Sequence, residues 1–267
     1  MVDAIEEYAF LSEWWSNSVL KVYMDEDDFD NYLGKEHTLA VLNHTYEIDW
    51  LILSSVMNNR DAIGTVRTYG KKSLQYYPVV GWTHYLSEGI FLCRSYDKDE
   101  KIIKEKAREY CDYPNPVTVF LCPEGTRYTK EKSVKSIEFA KSKNLPIFKH
   151  LLTIKTKGFT ATLPNIRDKF GSILDITLAF DPNGVKPTML SLLNGYSLTG
   201  HVYIKRYPMK DVPSDAEEAA KFLNDLFVQK DKLLESFFTT GSFFTLSNVQ
   251  EIPPIEITNE LKTVDVS

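Results

Sequence analysis

The sequence predicts an α/β protein with a mixed, largely parallel sheet flanked by helices and preceded by an amphipathic N-terminal helix. Three observations predict it. Short apolar, β-branched runs alternate with segments of helical period along most of the chain, which is the pattern of layered β and α elements. The 267 residues, 43% hydrophobic and 25% charged, suffice for one globular domain with a sizeable core. No internal repeat or low-complexity block interrupts the alternation.

In chain order, Ile5, Tyr8, Leu11, Trp15, Val19 and Val22 recur at steps of three and four, which predicts a helix over 5–22 that the acidic run Asp25 to Asp30 ends. A strand is expected at Thr38–Leu42, a helix at about Ile48–Met57 and a strand near Ile63–Arg67. Gly89–Arg94 reads as a strand, and Asp97–Asp112 as a helix with Ile102, Ile103, Ala107 and Tyr110 on one side. Val117–Cys122, bounded by Pro116 and Pro123, is the clearest strand. A helix at about Lys132–Lys143 follows, then strands at Phe148–Ile154, Ile173–Phe180 and Gly200–Arg206, and a helix at Ser214–Phe238.

Charge divides the chain more sharply than its net value of −6 suggests. Residues 1–36 hold ten acids and two bases and read as an acidic N-terminal helix and linker. Residues 247–267, with four acids, one base, Pro253 and Pro254, read as a loosely ordered tail. The central domain, 37–246, carries 28 bases against 23 acids, so an anionic ligand is expected there, while the overall balance argues against nucleic acid. Cys93, Cys111 and Cys122 cannot form a closed disulfide set and lack zinc-ligand spacing, so a reducing compartment and no metal site are expected. His37, His84, His150 and His201 have no ligand-spaced partners and read as structural or exposed. The first residues do not read as a signal peptide, and no apolar run approaches the roughly 18–20 residues of a spanning helix.

Three segments fall where strands end. In Asn43-His44-Thr45-Tyr46-Glu47-Ile48-Asp49, His44 and Asp49 would lie about 500° apart on a continuous helix, so they meet only if the chain turns between them. In that case the carboxylate orients one imidazole nitrogen and leaves the other to take a proton; otherwise His44 is a loop residue and Asp49 a helix cap. In Pro123-Glu124-Gly125-Thr126-Arg127, Gly125 permits close backbone approach and Arg127 offers a fork matched to phosphate oxygens, against the reading of a plain turn. Gly89-Ile90-Phe91-Leu92-Cys93-Arg94 reads as an apolar strand ending in an arginine, and by itself as a core strand with a solvated charge.

Together, in this order, these segments resemble the blocks of the glycerolipid acyltransferase (PlsC-like) family. Asn43, His44 and Asp49 match its N-H-x4-D block, and Pro123 to Arg127 its P-E-G-T-R block. The second block, usually G-x-x-F-[IL]-[DE]-R, has Glu88 in place of the first glycine and Cys93 in place of the acid. Leu145-Pro146-Ile147-Phe148 is similar to the fourth, apolar block. The likeness runs from Trp14 to Pro254 and is closest to eukaryotic 1-acylglycerol-3-phosphate acyltransferases of the gamma/delta branch and their lysocardiolipin acyltransferase relatives.

The resemblance implies an acyl-CoA-dependent O-acyltransferase acting on the sn-2 hydroxyl of a lysophospholipid, chiefly lysophosphatidic acid to phosphatidic acid. Lysocardiolipin or lysophosphatidylinositol acylation, and a catalytically silent, shortened lipid-binding homologue, are the alternatives. His44 would be the base, Asp49 its partner, and Asn43, Arg94, Glu124, Gly125, Thr126 and Arg127 the acceptor-binding set. No metal or resident cofactor is implied; acyl-CoA is a co-substrate. A serine hydrolase is disfavoured because the chain has no G-x-S-x-G elbow. The expected partner besides the substrates is a membrane surface, at the cytosolic face of the endoplasmic reticulum, since a glycan on the Asn43-His44-Thr45 sequon would block the site. Peripheral contact is expected through the aromatic stretch Tyr76–Leu86, the Trp14 and Trp15 pair, and the nearby bases Arg67, Lys71 and Lys72.

Overall fold

The computed structural model describes residues 9–77, 80–93 and 95–258. Eight strands form one sheet in the order β4-β3-β5-β2-β6-β7-β1-β8. They are β1 Val19–Tyr23, β2 Thr38–Leu42, β3 Val66–Lys71, β4 Ile90–Leu92, β5 Thr118–Leu121, β6 Ser172–Phe180, β7 Thr199–Pro208 and β8 Ile255–Ile257. The helices are α1 Glu26–Asn31, α2 Asp49–Asn59, α3 Val80–Leu86, α4 Tyr96–Cys111, α5 Lys130–Lys143, α6 Lys157–Ile166, α7 Met189–Leu193 and α8 Ala216–Thr240.

Strands β4, β3, β5, β2 and β6 run parallel, β7 returns antiparallel to β6, β1 is parallel to β7, and β8 is antiparallel to β1. Helices cover both faces, so the central strands are buried on both sides and their alternate residues feed two cores. Leu39, Val41, Val119 and Ile173 join Ala107 and Tyr110 of α4, Phe159 and Leu163 of α6, and Leu223 and Phe227 of α8. Ala40, Leu42, Phe120, Leu174 and Ile176 join Leu51, Ile52 and Val56 of α2 with Phe29 and Leu33.

Several expectations are corrected. The predicted 5–22 helix reaches only Trp15, in a turn over Leu11–Trp15, and its first residues lie outside the described set. Asn17 takes a left-handed φ of 49° and Val19–Tyr23 becomes β1, because its alternating burial and β-branched residues suit a strand between β7 and β8. The acidic run forms α1 instead of ending a helix: Asp25 caps it by accepting from the N–H groups of Asp27 and Asp28, and the acids of its first turn meet the positive end of the helix dipole. The apolar residues of the Phe148–Ile154 run are buried, but the run is no strand. Its N–H groups are taken by side chains: Asp231 of α8 accepts from Lys149 and His150, Glu124 from Leu152, and Ser136 from Thr153. The segment read as a loose tail adds β8, with Ile257 only 3% exposed, so neither 36 nor 247 is a boundary of the sheet. Helices α3, α6 and α7 had no counterpart in the sequence reading; Gly158 and Pro164 break the helical signal of α6.

Candidate active site

The five parallel strands end on one edge of the sheet, and the first and third motifs follow β2 and β5, adjacent strands at its centre. Asn43 continues β2 with its side chain. Its Oδ1 accepts the N–H of Leu178 at 2.9 Å and its Nδ2 donates to the Leu178 carbonyl at 2.9 Å, copying a backbone pair with β6. At 1% exposure Asn43 positions the loop and has no atom to offer an acceptor, contrary to the substrate-binding expectation.

The chain turns after Asn43 so that α2 begins at Asp49. One carboxylate oxygen, Oδ2, lies 2.7 Å from Thr45 N, 2.9 Å from Tyr46 N and 3.0 Å from His44 Nδ1. Asp49 therefore closes the turn before the helix and orients the imidazole with the same atom, so the two sequence readings describe one arrangement. Burial pushes its carboxyl above the ordinary range, while the imidazole and the two N–H groups oppose that shift. With Nδ1 held by Asp49, Nε2 of the half-buried His44 is the ring nitrogen left to accept a proton.

Glu124 is 3% exposed, and both its oxygens are occupied. Oε1 accepts His44 N–H at 2.8 Å and Oε2 accepts Leu152 N–H at 2.9 Å. It braces the loop instead of binding the acceptor, and a buried carboxylate would repel a phosphate. The His44 carbonyl accepts from Tyr128 N–H at 2.8 Å, so the backbone of His44 is pinned to both flanks of Gly125-Thr126-Arg127. Those three residues remain exposed or half-buried, with Gly125 at a φ of +66°. The Arg127 guanidinium lies 3.2 Å from Glu47 Oε2, and Glu47 Oε1 accepts the N–H of Met189 at the start of α7. Beneath the loop, burial and the charges of Asp49 and Glu124 push the Cys122 thiol well above its ordinary range, so it offers no thiolate for a covalent acyl-enzyme.

Arg94 lies outside the described residues. Its block carries two structural signals. Glu88 adopts a φ of +58°, which explains why glycine suits this position, and is tethered by Arg67 and by the hydroxyl of Tyr113. A Cβ on Gly89 would collide with the His84 ring, so this glycine serves packing. Sequence reasoning missed Glu47, Lys132 and Lys155. The ammonium of Lys132 donates to Thr126 Oγ1 at 2.8 Å and to the Arg127 carbonyl at 2.9 Å. The positive balance of residues 37–246 hinted at such residues.

The family model described as "Acyltransferase" matches residues 23–156, half of the chain, and "Acyltransferase C-terminus" matches residues 191–266. A 1-acyl-sn-glycerol-3-phosphate acyltransferase 2 of Brassica oleracea is 36% identical over 237 residues, covering 89% of this chain and 60% of the relative. The human 1-acyl-sn-glycerol-3-phosphate acyltransferase delta is 35% identical over 237 residues, covering 89% of this chain and 62% of the relative. The chain thus spans about three fifths of the length of these relatives. The crystal structure of the 1-acyl-sn-glycerophosphate acyltransferase PlsC from Thermotoga maritima aligns with a TM-score of 0.55 at 17% identity, covering 88% of this chain and 80% of that one, and shares its fold. Matched over half its length by the family model, and carrying the family's histidine and aspartate in contact beside the Gly-Thr-Arg loop, the chain belongs to the PlsC-like acyltransferase family.

Proposed function

We propose that the protein transfers an acyl group from acyl-CoA to the sn-2 hydroxyl of lysophosphatidic acid, giving phosphatidic acid and CoA. The observation that carries this reading is the fastening of His44 to both motifs: its ring is held by Asp49, and its backbone is held by Glu124 and Tyr128. Base and phosphate-binding loop therefore form one rigid frame. Nε2 of His44 takes the hydroxyl proton as that oxygen attacks the thioester carbonyl. The C–O bond forms, the C–S bond breaks, and the CoA thiolate receives the proton from the imidazolium. A thioester is already activated, so no metal or resident cofactor enters the scheme. Arg127 and the Thr126 N–H receive the acceptor's phosphate.

The acceptor is a lipid, so the site opens onto a bilayer. Two groups of exposed apolar residues support this. Tyr76 (76%) and Tyr77 (60%) follow β3, with Trp82 and Tyr85 exposed on α3. Phe10, Trp14 and Trp15 precede β1, and Leu190 and Leu193 lie on α7, joined by the bond from Trp15 Nε1 to the Leu193 carbonyl. Both groups adjoin the catalytic edge, on opposite sides of His44. Among the described residues no helix is long and apolar enough to cross a membrane. Both amide atoms of Asn43 are bonded to Leu178, so a glycan there would undo the loop, which favours action at the cytosolic face of the endoplasmic reticulum, where none is added.

The test is acyl transfer from labelled acyl-CoA to a panel of lysophospholipids. Lysophosphatidic acid is the expected best acceptor, with His44→Ala inactive and Asp49→Asn slowed by roughly 10²- to 10⁴-fold. Wild-type turnover in purified, folded His44→Ala protein overturns the dyad. Better transfer to lysophosphatidylinositol or lysocardiolipin reassigns the acceptor.

A further inference from the structure

Resting on the acyl-acceptor reading above, we propose that Lys155 holds the acceptor's phosphate over Gly125 and, with Arg127, selects a phosphomonoester headgroup. Among the described residues Lys132, Arg127 and Lys155 lie beside the third motif; the first is committed and the second is half-engaged. Lys132 is bonded to Thr126 and the Arg127 carbonyl, and Arg127 is paired with Glu47. Lys155 differs. Its backbone N–H donates to the Pro123 carbonyl at 2.9 Å, which anchors it beside the motif. Its side chain then runs across Gly125: a Cβ at that position would lie 3.5 Å from Nζ, 3.7 Å from Cδ and 3.8 Å from Cε. Among the described residues no acid pairs with this ammonium, and Glu124 beside it in the motif is buried with both oxygens engaged.

The absent side chain of Gly125 thus lets the Lys155 ammonium lie close against the exposed loop. Because His44 is bonded to both flanks of the loop, the base and this ammonium sit on one frame. An acceptor whose phosphate and reacting hydroxyl sit on neighbouring glycerol carbons requires such a frame. A phosphomonoester carries close to two negative charges near neutral pH. Arg127, already half-engaged by Glu47, supplies a planar fork, and Lys155 supplies the compact second charge. A phosphodiester headgroup, with one charge, has less use for it.

The test compares Lys155→Gln and Lys155→Arg with the wild type in the full chain. For Lys155→Gln the KM for lysophosphatidic acid should rise on the order of tenfold to a hundredfold, as for loss of a charged hydrogen bond. The KM for acyl-CoA and the rise for a phosphodiester lysolipid should stay small, and Lys155→Arg should recover most of the loss. No change overturns the proposal, and so does an equal or larger rise for acyl-CoA, which would place Lys155 on the CoA phosphates. Binding of lysophosphatidic acid and of uncharged monoacylglycerol to His44→Ala protein, without acyl-CoA, separates this result from the acyl-transfer reading. Phosphate-dependent binding lost on adding Lys155→Gln upholds the subsite even if the wild type transfers no acyl group; binding indifferent to the phosphate or to Lys155 overturns it.

Discussion

Glu124 shows how a motif residue can hold a candidate site together through backbone contacts alone. Its ionised form accepts from His44 and Leu152 at once, yet burial pushes its carboxyl up to about 7. Between the ordinary value of 4.5 and about 7 the folded chain keeps a proton that the unfolded chain has lost. The contribution of Glu124 to stability is therefore greatest below that window, falls as pH rises through it by on the order of 3 kcal/mol, and is flat above it. Urea midpoints measured across that range should decline more steeply in the wild type than in Glu124→Gln. Equal slopes would show that Glu124 titrates normally. Asn43 belongs to the same class: the family motif marks it, and its contacts make it a splice between β2 and β6.

At the scale of elements, α8 is fastened to the sheet by charge as well as by packing. Lys230, fully buried, donates to Asp175 Oδ1 at 2.6 Å and to the Ile176 carbonyl at 2.6 Å, just before the β6 residue that holds Asn43. Burial lowers the lysine's pKa and raises the aspartate's, and the pair offsets both. Removing one partner strands the other in the core, so Lys230→Met should destabilise the fold by about 3 to 5 kcal/mol in chemical denaturation. Adding Asp175→Leu should return most of that loss. A double variant as unstable as the single one would mean that packing of the lysine stem, not its charge, is what counts. Nothing in the heptad-like pattern of α8 distinguished Lys230 from the exposed lysines of the same helix, because only the facing strand supplies its partners.

Over the whole molecule, the chemistry and the exposed aromatic residues share one edge of the sheet. The proposed docking of that edge to a bilayer draws its charge from the exposed Lys71 and Lys72. Arg67, expected from the sequence to help, is buried and bonded to Glu88 and to backbone carbonyls. In liposome flotation, binding should need anionic lipid, weaken in high salt, and fall when Lys71 and Lys72 become Glu, at roughly 1 kcal/mol per residue. Trp82→Ser with Tyr85→Ser should weaken it further without changing the fold, since both side chains are exposed. Indifference to all four substitutions would remove this edge as the membrane contact.

The sequence by itself determined the α/β class, the central strands and the long helices, because β2, β5, β6, α4 and α8 are specified by local period and by full burial of apolar residues. It also determined which residues form the dyad, since the motif is local in the chain. Tertiary structure decided the sheet's edges: Val19–Tyr23 carries both helical and strand periods, and only pairing with β7 makes it β1. It decided that Phe148–Ile154 stays irregular, because Asp231, Glu124 and Ser136 satisfy N–H groups that a neighbouring strand would otherwise have taken. It also divided the motif residues into those that brace and those left open to a ligand. Asn43 and Glu124 are polar in the sequence and fully bonded in the fold, whereas Lys155, given no site role by the sequence, lies across Gly125. Burial and hydrogen-bond satisfaction depend on residues dozens of positions away, which no local pattern encodes.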